Sequence, residues 1–251
     1  MISRLVPSAA AALLIASIAS ADAKPFTFTY DTYPMGKGNW EYEQWATWQQ
    51  EGDEDVYRFR NEIEFGILDN FDLAFYLPNW RYESTEARDG IYFESIGVET
   101  IVYFLNPVTD AFGLGWYNEI SVGEDELEFE TKLLVQKDIG NWILAYNLVL
   151  ETELEGVFDE TAENEVEGVI EHVAGVSYAF GRGDIRAGGE VLVESIYEDW
   201  ESYEDTLVYA GPVFSYWGAE HWWVTVTPMF QLTDSDDEPD FQVRMIAGLS
   251  F

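Results

Sequence analysis

The final segment of the chain alternates without a break. Phe241, Val243, Met245, Ala247, Leu249 and Phe251 fall on one phase, and Gln242, Arg244, Ile246, Gly248 and Ser250 on the other. A period of two over this length is a β-strand with one apolar face. The strand ends on an aromatic residue at a position where a terminus frays unless something holds it. It therefore belongs to a sheet that needs its last strand, either a closed barrel or a soluble sandwich that buries this strand at an edge.

The same pattern recurs upstream, and we read twelve such segments. The first, at 40–49, puts Trp40, Tyr42, Ala46 and Trp48 on one face and Glu41, Glu43, Thr47 and Gln49 on the other, with Trp45 among the latter. The second, at 56–68, sets Tyr57, Phe59, Ile63, Phe65 and Ile67 against Arg58, Arg60, Glu62 and Glu64. A third runs from Phe71 past Trp80, a fourth lies at 91–105, a fifth at 112–122 and a sixth at 126–136. In the sixth, Leu127, Phe129, Leu133 and Val135 alternate with Glu128, Glu130 and Lys132. The seventh follows the turn at 138–140. The eighth, at 167–180, carries apolar residues on both phases, so its facing stays open. The ninth sets Arg186, Glu190 and Glu194 opposite Ile185, Val191 and Val193, and the tenth contains Pro212, a local defect in a strand. The eleventh, at 222–232, precedes the closing strand. Spacing this regular excludes a helical protein.

Connections after even-numbered strands are short, at 68–70, 106–111, 137–140, 181–184 and 218–221. Most after odd-numbered strands are longer and acidic, at 51–55, 83–90, 152–165, 198–205 and 233–240, with 123–125 the brief exception. Short turns at one rim and longer loops at the other are the pattern of a transmembrane barrel with its short rim inward. Tryptophans fit that frame: Trp40, Trp142, Trp217, Trp222 and Trp223 fall beside the short-turn rim, and Trp48 and Trp80 near the other. Aromatic girdles are expected where amphipathic rings meet headgroups.

The opposite end of the chain agrees. Arg4 precedes an apolar, small-residue run over 5–19, and Ala21-Asp22-Ala23 forms a small-x-small cleavage site before Lys24. This reads as a secretory leader, residues 1–23, with cleavage after Ala23 and a weaker option after Ala21. The barrel then occupies 24–251. No later segment approaches the roughly 20 apolar residues of a membrane helix. Cysteine is absent, which excludes disulfides and thiolate metal sites. The formal net charge of −36 makes nucleic acid an unfit partner, while 16% aromatic content argues against acidic disorder.

The closing strand resembles that of bacterial outer-membrane β-barrels. The resemblance implies an all-β, twelve-stranded antiparallel barrel in outer-membrane lipid, with Phe251 read by the barrel-assembly machinery. The 36–48 stretch and the 66–77 hairpin look like those of poorly characterised outer-membrane barrels classed loosely as transporters, a likeness that implies no particular substrate.

Candidate chemistry is sparse. His221 sits at a turn, and His172 lies in a strand beside Glu171. A Ser–His pair resembling outer-membrane phospholipases would need Ser177 or Ser195, and no motif recommends either. The run Asp234-Ser235-Asp236-Asp237-Glu238-Pro239-Asp240 lacks the glycine turn and terminal glutamate of a calcium loop, so a diffuse cation atmosphere is the better reading. We therefore expect no enzyme, no cofactor and no resident metal. A twelve-stranded lumen is wider than a side-chain-filled eight-stranded barrel and narrower than a general porin. Its expected lining is Arg58, Arg60, Glu62, Glu64, Glu99, Glu119, Glu128, Glu130, Lys132, Glu190, Glu194 and Arg244. A water-filled lumen of that composition would act as a narrow passive channel for small solutes, biased toward cations. The alternative is a closed barrel whose charges pair across strands, Arg58 and Arg60 with Glu41 and Glu43, and whose acidic loops bind cations or a surface partner.

Overall fold

A computed structural model describes residues 23–251 except 53, 86–87, 159–163, 219–220, 234 and 236–237. All but Ala23 of the leader expected over 1–23, and the acidic positions Asp234, Asp236 and Asp237, thus lie outside the described residues. Every regular element within them is a strand: β1 (Trp40–Glu51), β2 (Glu54–Leu68), β3 (Phe71–Tyr76), β4 (Trp80–Ser84), β5 (Asp89–Phe93), β6 (Ile96–Leu105), β7 (Gly113–Val122), β8 (Glu126–Ile139), β9 (Trp142–Glu155), β10 (Glu165–Phe180), β11 (Ile185–Glu198), β12 (Ser202–Tyr216), β13 (Trp222–Gln231) and β14 (Phe241–Ser250).

All neighbouring pairs are antiparallel, and β1 pairs with both β2 and β14, which closes the sheet on itself. The fourteen pieces make twelve barrel strands. Both β3 and β4 pair with β2 at successive stretches, and β6 and β5 continue that pairing on the next strand. The two interruptions lie side by side. Pro78 supplies no N–H to the ladder, and the break is bridged where Leu77 N–H donates to Asn61 O (2.9 Å), Asn79 N–H to Ser95 O (2.8 Å) and Glu94 N–H to Asn79 O (3.0 Å). Beyond it the inward phase shifts, so Asp72, Ala74 and Tyr76 give way to Arg81 and Glu83.

Pro212 has a related explanation. It faces Gly189 on β11, but toward β13 the ladder is interrupted between Ala210↔Phe230 and Phe214↔Val226. Pro228 lies in the same gap, so two residues without N–H groups share one weak stretch rather than spoiling two.

Alternation sets the faces. Along β7 every second residue from Gly113 to Ser121 is buried, while Trp116, Asn118 and Ile120 are exposed. The outward face is mainly apolar, with Asn118 and His172 among its polar exceptions, and exposes Trp40, Trp80, Trp142 and Trp222. Trp48 stacks on Tyr57 at one rim. Trp200, from an expected loop, folds back so that its ring covers Gly168 and its indole N–H donates to Thr152 (3.0 Å).

Two expectations change here. Glu51 pairs directly with Glu54 and Glu198 with Ser202, so β2 and β12 run on where loops were expected. Trp217 and Trp223 are not girdle residues. Trp223 has no exposed surface and its indole N–H donates to Glu41 (3.0 Å); Trp217 packs on interior residues under the Arg186 guanidinium. Both sit on the inward phase of short-turn ends, where the interior holds enough apolar surface to bury them.

The ring closes between its ends. Phe251 N–H donates to Trp40 O (2.9 Å), and the two rings stack with centroids 4.1 Å apart. Such a stack contributes about 0.5–1.5 kcal/mol beyond area burial. Phe251→Ala should lower the midpoint of the heat-induced mobility shift on detergent gels and reduce the folded fraction. An unchanged midpoint would show that the seam does not depend on this aromatic.

Candidate functional site: an occupied lumen

The interior is not an open tube. Residues 23–35, which precede the first strand, lie within the barrel and are almost wholly buried. This segment has no strand partner, yet a buried backbone group without a hydrogen bond is costly. Inward side chains of the wall take that role. Glu190 accepts the N–H groups of Thr27 (3.1 Å), Phe28 (2.9 Å) and Thr29 (2.8 Å), the Thr29 hydroxyl (3.0 Å) and the Thr227 hydroxyl (2.6 Å). Asn147 meets Tyr30 from both sides, accepting its N–H (2.6 Å) and donating to its carbonyl (3.0 Å). Gln136 accepts from Thr32 (2.7 Å) and Asp72 from Met35 (3.0 Å). Ser215 and Thr225 donate to the carbonyls of Pro25 and Lys24. The contacts pass from β3 through β8, β9, β11, β12 and β13, and Lys24 ends beside Glu43 and Glu64 on β1 and β2. The segment circles the inner wall.

Glycines give it room. At Gly66 a Cβ would sit 1.9 Å from the carbonyl oxygen of Gly36, where the segment leaves the lumen to enter β1. At Gly113 a Cβ would lie 1.8 Å from the Thr32 hydroxyl.

The wall around the segment divides chemically. Along β9–β13 the inward side chains Val149, Val173, Leu192, Leu207, Tyr209 and Met229 pack on Phe28, and Ile143, Ala145 and Val213 pack on Phe26. The other side is acidic. Register places Glu99, Glu119, Glu130 and Glu151 directly opposite one another on four successive strands, β6 to β9. A second row runs Glu128, Glu153, Glu167, Glu198. Like charges in such pairs are destabilising; two cations pair with them, and a third lies on the same inner wall. Arg60 pairs with Glu119, which also takes the Tyr117 hydroxyl; Lys132 pairs with Glu130 at 2.8 Å. Arg244 donates to Thr27 O (3.4 Å). Each cation also lies over a ring: Arg60 3.7 Å from the Tyr76 centroid, Lys132 4.2 Å from Tyr30, Arg244 4.0 Å from Phe28. The rings of Phe28 and Tyr30 belong to the inner segment, so cation–π attraction ties it to the charged wall.

The expected lining residues fall as follows. Glu62, Glu64, Glu99, Glu119 and Glu190 are buried on the inward phase; Arg58, Arg60, Glu128, Glu130, Lys132, Glu194 and Arg244 share that phase. The expected pairing of Arg58 and Arg60 with Glu41 and Glu43 does not occur. Register sets Arg58 opposite Thr47 and Arg60 opposite Trp45, and the guanidinium groups reach Glu94 and Glu119 instead. The inner segment itself, together with Gln136, Asn147, Glu151, Glu153 and Glu171, was outside the expected site. Its one signal is local: Phe26, Phe28 and Tyr30 alternate with Thr27, Thr29 and Asp31 ahead of the first strand. His172 and Ser177 lie on opposite faces. His172 Nδ1 bonds the Tyr146 hydroxyl (2.8 Å) outside, and Ser177 accepts from Arg186 (3.0 Å) inside.

Against this geometry, the sequence matches the family of unknown function DUF6662 over residues 18–244. The chain belongs to that family. No curated protein matches it. Among solved structures it is similar to the COG4313 outer membrane channel from Pseudomonas putida F1, at 11% identity and TM-score 0.64, over 88% of this chain and 98% of that one. It is also similar to the NanC porin, at 9% identity and TM-score 0.57 over 83% and 98% of the two chains. The KdgM porin follows, at 12% identity and TM-score 0.53 over 84% and 99%. At such identities the likeness is one of fold, and the fold is the closed antiparallel barrel that these outer-membrane proteins have.

Glu190 is the point on which the inner segment hangs. Glu190→Ala would leave the amides of Thr27, Phe28 and Thr29 without partners, each at about 1–3 kcal/mol. Hydrogen–deuterium exchange over 26–30 should then accelerate by at least about 100-fold, with the β9–β10 ladder unchanged. Unchanged exchange would mean that apolar packing alone retains the segment.

Proposed function

We propose that this barrel is a narrow passive channel for small solutes, biased toward cations and constricted at rest by its own N-terminal segment. In this reading the chain is exported with cleavage after Ala23. Its short-turn rim faces the periplasm, as barrel insertion requires, and Phe251 engages the assembly machinery.

The observation that carries the reading is the row of Glu99, Glu119, Glu130 and Glu151 on adjacent strands. Near it, carboxylate oxygens of Glu128, Glu130 and Glu151 come within 4.8 Å of one another. Low-dielectric walls around like charges focus the potential, which raises local cation concentration and opposes anions. The single counter-cations Arg60 and Lys132 are each already paired. The porin fold supplies the passage but no preference, since selectivity belongs to the side chains within it. On the side of β7–β10 nearer the longer connections, Glu126, Glu128, Glu153 and Glu167 extend the acidic lining. Beneath it the inner segment narrows the way to the other rim.

The test is conductance in a planar bilayer, with reversal potential under a salt gradient, on the protein with and without residues 24–35. The intact protein should give small or infrequent steps, and the shortened one larger steps with a cation-selective reversal potential. Replacing Glu128, Glu130 and Glu151 by Gln together should move that potential toward zero. A shortened barrel that keeps its heat-modifiable mobility yet stays silent would overturn the channel reading.

A further inference from the structure

Where the inner segment ends, the wall presents carboxylates that the described contacts do not balance. Glu41, Glu43, Glu62 and Glu64 form two cross-strand pairs, Glu41↔Glu64 and Glu43↔Glu62. None is more than 2% exposed. Indole N–H groups of Trp223 and Trp45 donate to Glu41 (3.0 Å) and Glu43 (2.8 Å), and Ser250 donates to Glu41. Glu43 Oε1, Glu62 Oε2 and both carboxylate oxygens of Glu64 receive no hydrogen bond. Among the described residues one cation makes ion pairs with Glu43 and Glu64: Lys24 Nζ, at 3.8 Å and 3.5 Å. A buried charge without a partner costs several kcal/mol, so one ammonium among the unsatisfied oxygens of Glu43, Glu62 and Glu64 leaves a demand for more positive charge.

The backbone of Lys24 is fixed at this place. Its carbonyl accepts the Thr225 hydroxyl at 2.5 Å. Ala23 is buried in an interior cluster that includes Trp45 and Trp223, the same two indoles that hold Glu43 and Glu41. The Ala23–Lys24 peptide bond therefore lies within a lysine side chain's reach of Glu43 and Glu64, in the cluster that contains the two indoles. It also follows Ala21-Asp22-Ala23, the small-x-small sequence that leader peptidases cut.

We propose that the Ala23–Lys24 bond is the processing site and that the α-ammonium it leaves on Lys24 is the second cation of this glutamate nest, so that maturation locks the inner segment in the lumen. Water adds across the peptide bond. The C–N bond breaks, the new carboxylate departs with residues 1–23, and the amine stays on Lys24 and takes up a proton. The uncleaved amide nitrogen carries no charge, so the precursor lacks this interaction. The inference rests on residues 1–23 being a leader, as in the function proposed above, and the experiment reads cleavage and charge separately.

The full precursor is expressed in a Gram-negative host and the protein is extracted from its outer membrane. Intact mass should correspond to 24–251; a start at any other residue overturns the proposal. A second precursor carries two glycines inserted between Ala23 and Lys24, which preserves cleavage and the lysine but moves the ammonium away. Hydrogen–deuterium exchange over 27–30 should rise by at least about tenfold relative to the native chain, a change of about 1.4 kcal/mol. Equal exchange in a barrel of normal heat-modifiable mobility overturns the proposal, because protons on the glutamates would then supply the balance. Lys24→Met alone should raise exchange too, and should add to the insertion. If the extended chain does not fold, the native barrel decides: its α-amine should resist an amine-selective acylating reagent that labels the denatured chain, and equal labelling rates overturn the proposal.

Discussion

The ladder fixes which residues go inside. Once β14, β1 and β2 are paired, each strand sends every second side chain inward, and a slip of one residue would put glutamates into lipid and leucines into the lumen. In a membrane the bilayer itself would therefore hold the register. It has an electrostatic consequence, because strands that alternate acid with apolar residue place their acids side by side. Glu99, Glu119, Glu130 and Glu151 stand in one row for this reason, and so do Glu43 with Glu62 and Glu41 with Glu64. Much of the interior can be understood as an answer to that crowding.

Two answers are visible, and they use the same inner segment. Arg60, Lys132 and Arg244 neutralise part of the wall while resting on aromatic faces, two of which, Phe28 and Tyr30, come from the segment. The segment in turn offers backbone N–H groups, which are weak donors individually but effective in a row. Three of them converge on Glu190, which is 1% exposed and would otherwise keep the Thr227 hydroxyl as its wall donor. Peptide and wall each satisfy what the other could not leave unpaired. The apolar half of the lumen completes the fit, since Phe26 and Phe28 bury against β9–β13 rather than facing water.

The barrel was legible because a membrane strand must declare both faces in its sequence. Twelve alternating segments, their turns and the closing aromatic strand survive translation into structure, including the split third and fourth strands, whose break at Pro78 leaves the strand count unchanged. The occupied lumen was not legible, for a physical reason. The short alternation of Phe26, Phe28 and Tyr30 with Thr27, Thr29 and Asp31 does not say where the segment goes, and the side chains that hold it look like ordinary inward polar residues until register brings Asn147, Gln136 and Glu190 to one surface. The ambiguous eighth strand was the nearest hint. Val169 and Val173 on the inward phase of β10 seemed to spoil the alternation, yet the inward phase is apolar there because the lumen is filled. Trp217 and Trp223 misled in the same way, since a tryptophan near a rim serves the girdle only if its phase points outward.

Charge separates this interior from what its fold alone would imply. Porins of the same architecture share no more than a tenth or so of their residues with this chain, and the barrel constrains those residues only by face. An inward position accepts Arg, Glu or Val without disturbing the ladder, so the lumen is free to vary where the outside is not. Here that freedom has been used in one direction on one side, acid from β6 to β10, and in another on the opposite side, apolar from β9 to β13. A solute following the acidic side would meet carboxylates near one rim, then the cation–aromatic contacts of Arg60, Lys132 and Arg244, then the backbone of the segment itself. A single movement of the segment would remove the last of these and, with Phe28 and Tyr30, two of the cation–aromatic contacts. Because wall side chains rather than strand pairing hold the segment, its release would break no part of the ladder that keeps the barrel closed.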